Sequence, residues 1–221
     1  KPESRYRERF EHWRSRHEKM VARWEAEALA ERENKPISSR WFFHEVGKIL
    51  PGDSLILEET ILHSSSLRRY LAEPGRYGRL CHGSLGIGLG EASGVKLVSP
   101  DRPVVFIIGD GTFNYNPVLA ALGVLQEYHL PVLIIILNNG GYMAMKGGYH
   151  EVYPEGWAVT HKEYLGVDIV PEPDYTKVAE AFGGYGERVS EAGDVELALN
   201  RALQQMGQGK IALLDVMLDN P

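Results

Sequence analysis

The chain has 221 residues, 43% of them hydrophobic and 24% charged, with a formal net charge of −6. That suffices for one substantial domain with its own core, and two would be a stretch. An acidic chain without clustered, unopposed cations is no partner for nucleic acid. It also lacks any apolar run long enough for a membrane span and any secretory signal.

Lys1 is not an initiator methionine, so the chain reads as a processed subunit or part of a longer polypeptide. From Ser4 to about Arg32, the residues Phe10, Trp13, Met20, Val21 and Trp24 stand in a strongly charged background. This pattern predicts one long helix with a narrow apolar stripe that needs a partner surface. Glu residues interleave with the Arg and Lys there, which makes it a solvated helix rather than a basic arm. Asn34-Lys35-Pro36 breaks it, giving an expected division into a linker helix, 1–35, and a domain, 36–221. Ser38-Ser39 caps a predicted helix over Trp41 to Leu50, which Pro51-Gly52 ends. Leu55-Ile56-Leu57 follows as a short buried strand, and His63-Ser64-Ser65-Ser66 as a hydroxyl-rich loop.

Cys81 is the single cysteine. It allows no intrachain disulfide, so the cytoplasm is the expected compartment. Gly83, Gly86, Gly88, Gly90 and Gly94 then crowd together, as if the chain closely approached a ligand or another backbone there. The GxGxG within that run lacks the spacing and the preceding strand of a dinucleotide fingerprint. Val104 to Ile108, Val132 to Leu137 and Ile211 to Met217 are continuous apolar runs, the mark of strands buried on both faces. Asn116 to Tyr128 reads as one helix beginning after an anion-tolerant loop, and Asp174 to Phe182 and Asp194 to Met206 as two more. The alternation predicts an α/β fold: a doubly wound parallel sheet with helices on both faces, preceded by the long N-terminal helix.

Asp110 lies in a Gly-Asp-Gly segment that ends the first run, and Asn138-Asn139 closes the second. Asp-Gly alone is a common turn dipeptide. At neighbouring parallel strand ends, however, a carboxylate and a carboxamide present hard oxygens that suit Mg²⁺ or Ca²⁺ better than Zn²⁺. Ligands of such sheets bind just there.

The sequence GDGTFNYN followed by LPVLIIILNNGGY resembles the diphosphate-binding domain of thiamine diphosphate enzymes, in the branch containing acetolactate synthase and benzoylformate decarboxylase. The resemblance covers nearly the whole chain, from Pro36 through Gly83-Ser84-Leu85-Gly86 to Ala181-Phe182-Gly183. It implies a lyase or carboligase dependent on thiamine diphosphate and Mg²⁺, acting on 2-oxo acids or acyl-CoA relatives as a dimer or tetramer of assemblies. By the same resemblance, Asp110, Asn139 and the Gly141 carbonyl would hold Mg²⁺, and Thr112 would donate to a phosphate oxygen, with Gly109 and Gly111 bordering the cofactor. Gly83, Ser84 and Leu85 would form the loop that bends it, Gly83 through its carbonyl and Leu85 as a wedge; by pattern alone Leu85 is core. Of residues 63–66, Ser64 and Ser65 are chosen to meet the diphosphate. Tyr142, Met143 and Met145 resemble a substrate-channel segment, with local packing as the equal alternative. His82, beside the bending loop, is a candidate proton donor or acceptor, although a structural histidine is the commoner case.

Two departures stand out. Leu89-Gly90-Glu91-Ala92 replaces the usual Leu-Pro-Ala-Ala, and the loop after the first strand is short. In the family, the glutamate that activates the cofactor belongs to a separate pyrimidine-binding domain. The resemblance therefore implies a cofactor at an interface and a chain that is inactive alone. Two alternatives remain. One is a catalytically silent regulatory or scaffolding relative, against which the joint presence of Asp110, Asn139, Leu85 and Thr112 speaks. The other is a 2-oxoacid oxidoreductase subunit, which would bring iron–sulfur cysteines that Cys81 alone does not supply.

Overall fold

A computed structural model describes the backbone of residues 2–71, 77–79 and 84–220, and the side chains of residues 5–71 and 84–220. Cys81, His82 and Gly83 lie outside the described residues. The helices α1 (Pro2–Ala30), α2 (Ser39–Ile49) and α3 (Ser64–Leu71) come early in the chain. Then follow α4 (Gly88–Val98), α5 (Asp110–Phe113), α6 (Val118–Glu127), α7 (Met143–Val152), α8 (Trp157–His161), α9 (Thr176–Glu180) and α10 (Val195–Gly207). The strands are β1 (Leu55–Glu59), β2 (Tyr77–Arg79), β3 (Val104–Gly109), β4 (Leu133–Asn138), β5 (Tyr185–Val189) and β6 (Ala212–Met217).

Among the described residues six strands pair in parallel, in the order β2-β1-β3-β4-β6-β5. At the centre, β3 and β4 run in register from Val105 opposite Leu133 to Gly109 opposite Leu137, and their β-branched and aliphatic side chains are wholly buried. Successive side chains of a strand face opposite sides, so β3 feeds two cores. Val105 and Ile107 pack under α2, α3 and α10, while Val104, Phe106 and Ile108 pack under α4, α6 and α9. The expected doubly wound sheet is therefore observed. From β1 the chain steps outward to β2, then returns past β1 to β3 and β4. The strand order thus reverses between β1 and β3, which opens a crevice at their carboxyl ends.

Among the described residues, the last turns of α1 are what meets the domain. Ala28 is buried, the Tyr70 hydroxyl donates to the Trp24 carbonyl at 2.9 Å, and Arg69 lies over the Trp24 ring. Phe10 and Trp13 are exposed. Ser38 caps α2 by accepting from the amides of Arg40 and Trp41. The residues that follow α1 are stitched to those that follow β6: Ile37 N donates to Met217 O, Asp219 N to Ile37 O, and Ser39 N to Asp219 Oδ1. No helix among the described residues is long and apolar enough to cross a membrane.

Several local expectations change. The hydroxyl-rich loop becomes helix from Ser64 onward, with Leu67 N donating to the His63 carbonyl and Leu67 and Leu71 buried against the core. Asn116 and Pro117 stand outside α6, with the short α5 before them. The helix expected over Asp174 to Phe182 contracts to α9. Of the crowded glycines, Gly86 and Gly88 do sit against other atoms, but Gly90 and Gly94 face open space.

Candidate functional site

A cavity of about 100 Å³ opens at the carboxyl ends of β1, β3 and β4, where ligands of doubly wound sheets bind. Residues 60–63 wall it after β1, residues 109–112 at the end of β3, and residues 137, 139 and 141–145 at and after the end of β4; Leu85 and Tyr115 complete the lining.

Asp110 begins α5 and is only 2% exposed. Its Oδ1 accepts from Gly111 N at 2.8 Å and its Oδ2 from Gly141 N at 2.9 Å. Burial pushes the carboxyl up to about 6, against the pull of the amides of Gly111, Gly141 and Gly140. Among the described residues no Lys, Arg or His pairs with it. The Asn139 carboxamide places one terminal atom 3.1 Å from the Gly141 carbonyl oxygen and 3.3 Å from Asp110 Oδ1. With its nitrogen inward, this group donates to both oxygens. With its oxygen inward, it sets a hard oxygen at those two distances from the other two, close to the edge, roughly 3 Å, of an Mg²⁺ octahedron.

The loop carrying that triad is tightly held. Gly140 adopts a positive φ of 78°, and a Cβ on Gly141 would stand 2.4 Å from the Val167 carbonyl oxygen. Asn138 turns away from the cavity. Its Oδ1 accepts from Gly140 N at 3.0 Å, and its amide donates to Asp215 at 2.9 Å and Glu172 at 3.1 Å. Arg188 bridges the same two carboxylates. Burial raises the Asp215 carboxyl, opposed by Asn138 and Arg188. The two adjacent asparagines thus divide the work, one bracing the loop and the other facing the cavity.

Tyr142 covers Gly111 so closely that a Cβ there would stand 2.7 Å from its ring, and Tyr115 leans on Tyr142. Thr112 and Met143 are on the cavity wall, as is the exposed Met145. Leu85 is 37% exposed at the wall, and Ser84 beside it is exposed. The chosen hydroxyls lie elsewhere. Ser64 is buried and donates to the Glu58 carboxylate, and Ser65 is exposed away from the cavity wall. The neighbouring wall residue is His63, 2% exposed, with neither ring nitrogen hydrogen-bonded among the described residues. Burial lowers its pKa to about 4, so it is neutral at pH 7. The Glu59 carboxylate, which sequence reasoning passed over, accepts from the amides of residues 86–88.

A doubly wound domain whose switch-point crevice gathers hard oxygens beneath an apolar mouth defines a class that binds anionic cofactors. Comparison with known proteins narrows it. Residues 58–216 match the thiamine pyrophosphate enzyme family, C-terminal TPP binding domain, and the chain belongs to that family. It is 33% identical to benzoylformate decarboxylase of Pseudomonas aeruginosa over 80% of this chain and 32% of that protein. It is 32% identical to the acetolactate synthase large subunit of Buchnera aphidicola over 62% of this chain and 23% of that one. The solved thiamine diphosphate-dependent 4-hydroxybenzoylformate decarboxylase of Rhodococcus jostii RHA1 superposes with a TM-score of 0.72 at 32% identity. That match covers 85% of this chain and 34% of the other. The chain thus spans about a quarter to a third of the length of these relatives.

Proposed function

We propose that residues 36–221 form the diphosphate-binding part of a thiamine diphosphate- and Mg²⁺-dependent lyase or carboligase acting on 2-oxo acids or acyl-CoA relatives, with residues 1–35 as a linker helix. The observation that carries this reading is the meeting of Asp110, Asn139 and the Gly141 carbonyl around one small volume, with the buried carboxylate lacking a cation among the described residues. These three would ligand Mg²⁺, which takes near-octahedral oxygen coordination and completes its shell with phosphate oxygens and water. Gly109, Gly111 and Thr112 would border the phosphates. The neutral His63 imidazole would offer a ring N–H where the described residues offer it no acceptor. When bound, thiamine diphosphate supplies a carbon nucleophile and an electron sink for cleaving or forming a carbon–carbon bond beside a carbonyl. The chain's own part is to orient it: Leu85 supports it from one side, and Tyr142, Met143 and Met145 give the mouth an apolar lining that excludes water.

A pyrimidine-binding domain from another chain or segment would close the mouth over the half-exposed Leu85 and Tyr115, within a dimer or tetramer of assemblies. A silent scaffolding role is disfavoured, because a buried carboxylate whose acceptor capacity the fold does not use up costs stability and brings a scaffold nothing. Calorimetric titration of thiamine diphosphate into the complete protein tests the reading. We expect saturable binding that chelation of Mg²⁺ abolishes. Equal affinity with and without the cation would remove the metal assignment.

A further inference from the structure

Glu59 ends β1 with its carboxylate fully buried, and among the described residues no cation pairs with it. Four N–H groups meet it instead. Gly86 N at 2.6 Å and Ile87 N at 3.1 Å donate to Oε1; Gly88 N at 3.2 Å and Asn116 Nδ2 at 2.9 Å donate to Oε2. Asn116, itself 7% exposed, accepts from Leu89 N at 3.0 Å and donates to the Thr112 carbonyl at 3.2 Å. Two glycines are shaped to this arrangement. Gly86 has a φ of +92° and a Cβ position 2.6 Å from the Tyr115 carbonyl oxygen; a Cβ on Gly88 would lie 2.7 Å from Glu59 Oε2 and 2.4 Å from the Phe106 ring. One carboxylate therefore fixes three consecutive amides directly after Leu85, and its amide partner extends the hold to the helix that begins with Asp110.

Resting on the reading of this cavity as the cofactor site, we propose that Glu59 and Asn116 form a clasp that sets where Leu85 stands relative to Asp110, making Glu59 a positioning residue for the reaction. The charge has a purpose here. A carboxylate offers acceptor sites at both ends, and its bonds to N–H donors are roughly twice as strong as neutral ones. A carboxamide of the same shape would turn an NH₂ toward two of the four donors. The loop would then drift, and a misplacement of about 1 Å at a reacting centre costs on the order of a hundredfold in rate. A group needed merely for folding would instead lower stability across the sheet, and binding with it.

The test is Glu59→Gln in the complete enzyme. Amide hydrogen exchange at residues 86–88 should rise at least tenfold while β3 and β4 keep their protection. Turnover of a 2-oxo acid should fall at least tenfold, with KM and thiamine diphosphate affinity within threefold of the parent. If Glu59→Gln does not fold, Asn116→Ala, which leaves the three backbone bonds in place, should show the smaller loss of the same kind. Unchanged exchange at residues 86–88, exchange raised throughout the sheet, or turnover and affinity falling in parallel would overturn the clasp. If the parent binds no thiamine diphosphate, the cofactor reading fails while the exchange data still decide whether Glu59 holds the loop.

Discussion

Glu59 ends β1, Asp110 follows the end of the adjacent parallel β3, and the two are almost equally buried, yet their surroundings differ. Four N–H donors engage the Glu59 carboxylate through both of its oxygens, all of them from the protein. Asp110 accepts two backbone amides and then faces a small volume shared with the Asn139 carboxamide and the Gly141 carbonyl. Burial of a carboxylate is therefore a poor sign of ligand binding. The informative sign is acceptor capacity left over after the fold has been served.

Removing the acceptor-rich carboxylate should have the largest effect. In the complete protein, Asp110→Ala should leave the sheet folded and weaken thiamine diphosphate binding in Mg²⁺ at least a hundredfold, about 2.7 kcal/mol, as read by calorimetry. Unchanged affinity would erase the contrast between the two carboxylates. Next comes the satisfied side. Gly88→Ala drives a methyl group into Phe106 and Glu59, an overpacking that typically costs about 1–3 kcal/mol. Its signature should be a lowered melting temperature, and an unshifted melt would mean that the space around Glu59 yields easily.

Leu85→Ala sharpens the comparison between holding a cofactor and shaping it. Turnover should fall about tenfold, with affinity within threefold, because the lost contact acts on the reactive arrangement rather than on the diphosphate; full turnover would return Leu85 to the role of a wall residue. The smallest effect at working pH belongs to His63. Its folded pKa of about 4 lies below the free value of 6.5, so the unfolded chain binds the extra proton between those limits. Stability from this group is complete above pH 6.5 and is lost as pH falls toward 4. NMR of the ring should place its titration near pH 4. A midpoint near 6.5 would show a solvated imidazole.

Why the core and part of the site could be read in the sequence, and the rest could not, follows from which interactions side chains spell out. Val104 to Ile108 and Val132 to Leu137 announce themselves because strands buried on both faces must be apolar throughout. Asp110 and Asn139 stand out because a polar residue ends each such run. β5 carries no such signal: it is an edge strand, and Glu187 and Arg188 break its apolar character. The clasp was invisible for another reason. Its donors are chiefly backbone amides of residues 86–88, which any sequence supplies, and the strand legible in the sequence stops at Leu57, short of Glu59. Likewise Ser64 looked available because its hydroxyl is visible in the sequence, whereas its bond to Glu58 exists only once α3 has formed.

The stitching of residues 37–39 to residues 217–219 has a mechanical consequence. Ile37 and Leu218 lie side by side and run in the same direction. A pull that draws the chain before Ile37 away from the chain after Leu218 slides the two segments past each other. The bonds Ile37 N to Met217 O, Asp219 N to Ile37 O and Ser39 N to Asp219 Oδ1 are then loaded together, in shear, instead of opening one after another. The Asn138 carbonyl, which accepts from Leu218 N, joins that load path one residue from Asn139. Tension along the chain would therefore be borne by this short seam before it reached the loop that frames the cavity.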